Sequence, residues 1–450
     1  MANRKTSSSK LRYWHQCVDC KKRWPADRFL YTCPACDGLL LIERDEDFLK
    51  ARLGSGRALR NFFDDLRFGN RRRLYPNNSG VWLWRELVLP GFPKRAIVSL
   101  REGQTDLFEI PDWMKRELGL PNLFIKMEGQ SPSESFKDRG MTVAISDALR
   151  LQQNHPEQGI AGVCCASTGD TSAAAAVFAG YVRDHLDCLV LLPHQGTARS
   201  QLFQAIAHGA RIREIKHPDG FDACMRLIEQ FIKQHPELVL VNSKNDMRVV
   251  GQETIGLEIL QDLSWKVPEW IAVPAGNGGN LSALLSALLL ARRLKLINRL
   301  PGIIVGQTAV SDTLVRWSKS GFRKYRPGPH GKTIASAMNI NDPVSFPRIE
   351  KLYPEFNIRF YRSTEPRIQA SWSRFLLAGA NVCPQSAVAL DAVLQARADR
   401  SVKAKDTVVS ISTASGVKFA QTVGAVTGKP GSAPDLKIVS GTLRALEKSL

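Results

Sequence analysis

From about residue 95 to residue 411, short apolar runs alternate with amphipathic stretches. Gly162-Val163-Cys164-Cys165-Ala166 has no polar side chain and predicts a strand buried on both faces, with a helix from Thr171 to Tyr181 after it. Cys188–Pro193 and Arg199–His208 predict the next strand and helix. Arg211–Lys216 and Phe221–His235 follow, the latter with apolar residues three and four apart. Leu238–Val241 leads to a helix over Val250–Leu263, and Trp270–Pro274 to one over Leu281–Leu294. Gly302–Gly306 and Thr407–Ile411 are further strands; upstream, Leu123–Met127 predicts a strand and Met141–Leu149 a helix. Strands without a polar face, alternating with helices, make an α/β fold around a mostly parallel sheet covered on both sides. Ligands bind such sheets beyond the carboxyl ends of the strands, so the residues after each strand are where chemistry belongs.

The first part of the chain has a different pattern. Residues 45–73 are charged and helix-permissive, Pro76–Gly80 reads as a turn or linker, and Val81–Pro90 reads as an amphipathic stretch that docks on the main body. Cys17-Val18-Asp19-Cys20 and Cys33-Pro34-Ala35-Cys36 are two CxxC knuckles with twelve residues between them. Four thiolates at that spacing suit tetrahedral Zn2+, and with every position a cysteine no coordination site stays open, so the metal is expected to be structural. Trp24, Phe29 and Tyr31 between the knuckles indicate a small ribbon of strands.

Composition narrows the class further. The chain has 450 residues, 44% hydrophobic and 23% charged, room for two or three ordinary globular domains. Its longest apolar run, Ala283–Ala291, stops at Arg292-Arg293, too short for a membrane span. The net charge is +19, tilted toward the start: residues 1–75 hold 17 Lys and Arg against 9 Asp and Glu. With no Lys/Arg block interleaved with aromatics, nucleic acid is the minority reading, and anionic small molecules or simply a basic solvated face stay open. Nine cysteines, an odd number, argue against a disulfide framework and for a reducing cytoplasm. No secretory signal is read in the first residues, and the basic, Ser-rich stretch 1–12 is expected to be a disordered tail.

The strand ends carry a coherent set of residues. Lys137, in Ser135-Phe136-Lys137-Asp138-Arg139-Gly140, stands where strand gives way to helix, beside N–H groups that disfavour its charge, and is a candidate nucleophilic amine. Ser167-Thr168-Gly169-Asp170-Thr171-Ser172 offers hydroxyls and N–H groups to a carboxylate or phosphate. Asn242, Ser243 and Arg248 follow another strand, the arginine suited to fork onto a phosphate. Gly276-Asn277-Gly278-Gly279-Asn280 is a glycine-rich loop entering a helix, with neither a Walker ending nor dinucleotide spacing. Ser412-Thr413-Ala414-Ser415-Gly416 closes the set. One lysine, one phosphate-cradling loop and one hydroxyl-rich anion loop fit pyridoxal 5'-phosphate.

With Glu102–Thr105, Ser135–Gly140, Ala166–Ser172, Val241–Ser243, Arg248, Gly251–Glu253 and Pro274–Asn280, the chain resembles the threonine synthases, fold-type II pyridoxal-phosphate enzymes. Trp84–Leu87 and the paired knuckles resemble the branch with an N-terminal zinc ribbon. The resemblance implies two open, mostly parallel α/β lobes after the ribbon: ribbon 13–43, helical connection 44–94, catalytic body 95–450, with a smaller mobile lobe at roughly 141–260. It implies Lys137 as Schiff-base lysine and proton shuttle, and Gly276, Asn277, Gly278, Gly279 and Asn280 around the cofactor phosphate. Asp170 falls beside the ring hydroxyl, where the family usually has asparagine, and Thr413 faces the pyridine nitrogen. Ser167, Thr168 and Thr171 would bind substrate, with Asn242, Ser243 and Arg248 on its phosphate. The implied reaction turns O-phosphohomoserine and water into threonine and phosphate, and a homodimer is expected.

The chain departs from the family pattern at Asp170, at Ser415 in place of a usual histidine, at Cys383–Ala387 in place of a Glu-Pro segment, and at Asp106, where proline usually follows the threonine. Two other readings stay open here: another lyase or synthase of this fold, cysteate synthase-like or dehydratase-like, and a zinc-ribbon binding protein with a degenerate body.

Overall fold

The computed structural model describes residues 11–425 apart from 73, 168, 195–198, 219 and 329–330, so most of the expected tail lies outside it. The chain opens with a three-stranded antiparallel sheet in which β1 (Tyr13–Cys17) lies between β2 (Arg23–Pro25) and β3 (Leu40–Arg44). Two helices follow, Glu46–Leu53 and Arg57–Phe68; Asp45 caps the first by accepting from the Phe48 N–H at 3.0 Å.

Val81–Pro90 departs from expectation. It does pack on the main body, but it is not amphipathic: only Arg85 is half-buried and every other residue is buried. Trp84 is held between Phe63 (ring centroids 4.6 Å apart) and Trp265 (6.2 Å), and the Trp82 indole N–H donates to Thr142 Oγ1 at 2.8 Å. Covered on both sides, the segment needs no polar face.

The main body holds two sheets. The strands are β4 (Leu107–Glu109), β5 (Leu123–Met127), β6 (Gly162–Ala166), β7 (Asp187–Pro193), β8 (Arg211–Ile215), β9 (Leu238–Leu240), β10 (Trp270–Pro274), β11 (Gly302–Thr308), β12 (Ile358–Ser363) and β13 (Val408–Ser412). The larger sheet runs β12-β11-β10-β13-β5-β4 and the smaller β8-β7-β6-β9. All pairings are parallel except β4 with β5. β6, β10, β11 and β13 are buried along their whole length, as their apolar runs require.

Two helices link the sheets. Lys137–Asn154 leads from β5 to β6, and Asp246–Asp262 leads from β9 back to β10. They cross glycine to glycine: a Cβ on Gly251 would stand 1.8 Å from the Arg139 carbonyl oxygen, and one on Gly140 would stand 2.7 Å from that of Arg248. No side chain fits at that crossing, which brings Lys137 and Arg248 onto neighbouring turns.

Candidate active site

Lys137 is the first residue of its helix, a loop beyond the end of β5. That loop is pinned to β13: the Phe136 N–H donates to Thr413 O at 2.9 Å, and Ser135 pairs with Ala414. Asp138 accepts from the Ser133 N–H (2.6 Å) and hydroxyl (2.5 Å), and burial pushes its carboxyl up to about 7. The Lys137 amine has no ion-pair partner among the described residues, and its Nζ sits over the Phe136 ring, 4.1 Å from the centroid. Burial brings the amine down to about 7, with the positive charge of Arg248 pushing the same way and Asp170 opposing. An amine so placed spends much of its time neutral near pH 7, as a nucleophile must.

The glycine loop after β10 ends in Gly278 (φ +76°), which starts the helix Gly279–Arg293 with no side-chain cap. A Cβ at Gly278 would meet Ile349 Cδ1 at 2.6 Å. Around this open helix start lie buried polar atoms without a protein partner: Asn280 Oδ1 and Nδ2, Ser345 Oγ and Gln252 Oε1. Orphan N–H groups and unpaired buried polar atoms at a helix N-terminus fit a phosphate. A free amine of lowered affinity for protons and a buried phosphate cradle are what pyridoxal phosphate requires of a chain, so the residues fit that cofactor.

A second anion position lies beside Lys137. Arg248 is 2% exposed; its Nη1 donates to Val241 O at 2.8 Å, its Nε has no partner, and it has no carboxylate partner among the described residues. Burial brings it down to about 10. Ser243 is half-buried and accepts from Asn277 Nδ2 at 3.2 Å, so the end of β9 and the glycine loop meet across the two sheets. Asn242 is differently engaged. Its Oδ1 accepts from the Ala166 N–H (2.9 Å) and its Nδ2 donates to Ala166 O (2.8 Å), which ties the end of β9 to β6 and occupies both ends of the amide.

Asp170 opens the helix Asp170–Tyr181 and is paired with Lys418, Oδ1 to Nζ 2.9 Å. Lys418 also donates to Ser133 O (2.7 Å) and Gln204 Oε1 (3.1 Å). A lone lysine in the apolar run Val417-Lys418-Phe419-Ala420 was the only sequence signal for it. The Asp170 carboxylate therefore comes with its own counter-charge. Thr413 Oγ1 lies 3.4 Å from Cys383 Sγ, which burial keeps protonated. Ser167 Oγ accepts from the Gly169 N–H at 3.2 Å, Thr171 is half-buried in the first turn, and Thr168 lies outside the described residues.

The Asp138-Arg139-Gly140 part of the lysine segment does structural work that its sequence did not announce. Arg139, fully buried, bonds Glu128 and Glu258; Lys126 bonds Glu258 (2.9 Å) and Asp262 (2.8 Å); Arg67 closes the set on Asp262 (2.7 Å). Burial alone would raise Glu258, but Arg139 and Lys126 hold it well below the usual carboxylate range. The three carboxylates are matched by three cations. At the ribbon, the Sγ atoms of Cys17, Cys20, Cys33 and Cys36 all lie within 4.8 Å of one another, a set that fits one metal ion.

The profile of the family described as pyridoxal-phosphate dependent enzymes matches residues 98–414. Threonine synthase 2, chloroplastic, of Arabidopsis thaliana is 37% identical over 383 residues, 85% of this chain and 72% of that protein. Threonine synthase of Methanosarcina acetivorans is 33% identical over 413 residues, 91% of this chain and 93% of its own. The crystal structure of threonine synthase from Escherichia coli superposes with a TM-score of 0.69 over 97% of this chain and 99% of that one; at 19% identity this shows a shared fold. The chain belongs to the pyridoxal-phosphate dependent enzymes and, within them, to the threonine synthase family.

Proposed function

We propose that the protein converts O-phosphohomoserine and water to threonine and phosphate, using pyridoxal phosphate. The observation that carries this is Arg248, a buried guanidinium with no described carboxylate partner beside the Lys137 amine. A dehydratase acting on free serine or threonine has no phosphate to set against that charge, which would then be buried at a cost of several kcal/mol.

The cofactor, when bound, supplies an electron sink that lets protons leave Cα and Cβ of an amino acid. The chain's own residues do the rest. Asn280, Gln252, Ser345 and the N–H groups of Gly276–Gly279 hold the cofactor's phosphate. Lys137, neutral near pH 7, holds the cofactor and then moves the protons. Arg248 and Ser243 hold the substrate phosphate as it leaves Cγ, and water adds at Cβ. Ser167, Thr168, Thr171 and the N-terminus of Asp170–Tyr181 take the substrate carboxylate. Thr413, with Cys383 beside it, would offer the ring nitrogen a hydroxyl rather than a carboxylate. The four cysteines are read as a closed, structural Zn2+ site, and the other five, buried as thiols, suit a reducing compartment, read as the cytoplasm.

Incubation with pyridoxal phosphate and O-phosphohomoserine should release phosphate and threonine in equal amounts, with no ammonia from free serine or threonine. Ammonia release without phosphate release would overturn the reading.

A pH dependence follows from Lys137. Below about 7 the amine is mostly protonated and unreactive; above it the lone pair is free. Cofactor-stripped protein should therefore take up pyridoxal phosphate at a rate that rises about tenfold per pH unit below this value and levels off above it. Stopped-flow absorbance measures the rate, and a climb that continues to pH 9 would contradict the assignment.

A further inference from the structure

The ribbon touches the catalytic body at regular steps along one segment. That segment is β9 and the first turns of Asp246–Asp262, the stretch that carries Ser243, Arg248 and Gln252. At its start, Tyr31 OH donates to Leu238 O (3.2 Å) and accepts from the Leu240 N–H (3.0 Å), so a ribbon side chain completes the open edge of β9. Next, Arg348, fully buried, donates from Nε to Leu40 O of the ribbon (3.0 Å) and from Nη1 and Nη2 to Ser243 O (3.0 Å) and Lys244 O (2.8 Å). One guanidinium thus clamps the ribbon to the loop that presents Ser243. Then His15 Nδ1 meets Asp246 Oδ2 at 2.7 Å, both side chains buried. Last, Arg44 forks onto Glu253, again with both buried, and Glu253 accepts from Ser286 Oγ at 2.8 Å. These four contacts bracket Arg248 on both sides. Surface ion pairs contribute little, but buried ones cost several kcal/mol to break, so these fix the backbone they hold.

We propose that the ribbon is a positioning module for the anion site. Tyr31, His15, Arg44 and the Leu40 carbonyl hold the Leu238–Glu253 segment where Ser243 and Arg248 meet a phosphate. These are positioning residues, since none of them faces the site itself. The proposal rests on the reading of Arg248 as the substrate-phosphate ligand. A shift of about 1 Å in such a ligand is enough to cost up to about a hundredfold in rate or binding.

The test uses the full-length, cofactor-loaded protein and inorganic phosphate as the binding probe. Tyr31→Phe removes one hydroxyl and keeps the ring; Arg44→Met removes the buried fork. Each should weaken phosphate binding, by about threefold and about tenfold respectively, and raise KM for O-phosphohomoserine more than it lowers kcat. The cofactor's visible absorption should stay in place. In an Arg248→Ala background both ribbon changes should lose their effect on phosphate binding, because the ligand they position is gone. If Arg248→Ala weakens phosphate binding but the ribbon variants do not, the positioning role is overturned and the function stands. If Arg248→Ala leaves phosphate binding intact, the assignment of the anion site falls, and the ribbon's role with it. Should Arg44→Met fail to fold, Tyr31→Phe alone decides between these outcomes.

Discussion

Replacing Lys137 with alanine is expected to lower turnover by about a thousandfold or more and to remove the visible absorption of the cofactor-loaded protein. The fold should survive. The amine makes no ion pair among the described residues and is held near pKa 7 by burial, so its charge costs stability rather than supplying it. The thermal midpoint of the cofactor-free variant should therefore match or exceed that of the parent. Lys137→Arg separates charge from chemistry: it keeps a cation at the site but cannot act as a nucleophile near neutral pH, and should be as inactive as alanine. A Lys137→Ala protein that kept its absorption band would sink the assignment.

Two residues further on, Arg139 has the largest expected effect on stability. Arg139→Leu would strip Glu128 of its only charged partner among the described residues and leave Glu258 with Lys126 alone. Both carboxylates are buried, and breaking a buried pair from one side costs about 3–5 kcal/mol. Denaturant unfolding should show that loss, and the double variant Arg139→Leu/Glu128→Gln should recover part of it, because a neutral amide needs no counter-charge. A loss under about 1 kcal/mol would mean that the cluster adds nothing beyond replaceable packing.

How legible each part was follows from what its residues face. β6, β10 and β13 stood out because strands covered on both sides carry no charged residue, and the serines of β13 are small enough to be buried with the rest. β4 and β12 did not, because they lie at the edges of the larger sheet: Ile358–Ser363 keeps two arginines on its half-covered strand, and Leu107–Glu109 is too short to show a period. Val81–Pro90 misled because its arginine and glutamate suggested a wet face, although Glu86 is buried beside Arg85 (2.5 Å). The helix Asp246–Asp262 begins four residues before its apolar periodicity, since Asp246 and Arg248 are buried polar groups that periodicity counts as solvent-facing. At the candidate site, the residues that offer unpaired polar groups, Lys137, Arg248 and the helix start after the glycine loop, could be picked out from type and position. Lys418, Arg348 and the partners of Arg139 could not, because a side chain that serves another across the fold leaves no local pattern. Asn242 looked like a ligand for the same reason in reverse: nothing in its neighbourhood shows that Ala166 takes both ends of its amide.

The glycine-to-glycine crossing has a mechanical meaning. The helices Lys137–Asn154 and Asp246–Asp262 are the outgoing and returning connections between the two sheets, and at Gly140 and Gly251 they touch backbone to backbone. With no side chain between them there is nothing to re-pack, so the two backbones themselves set how far apart the helices stand. The spacing of Lys137 and Arg248 is therefore written into two glycines that touch neither of them: a methyl group at Gly251 would have to part the helices, and with them the amine and the guanidinium.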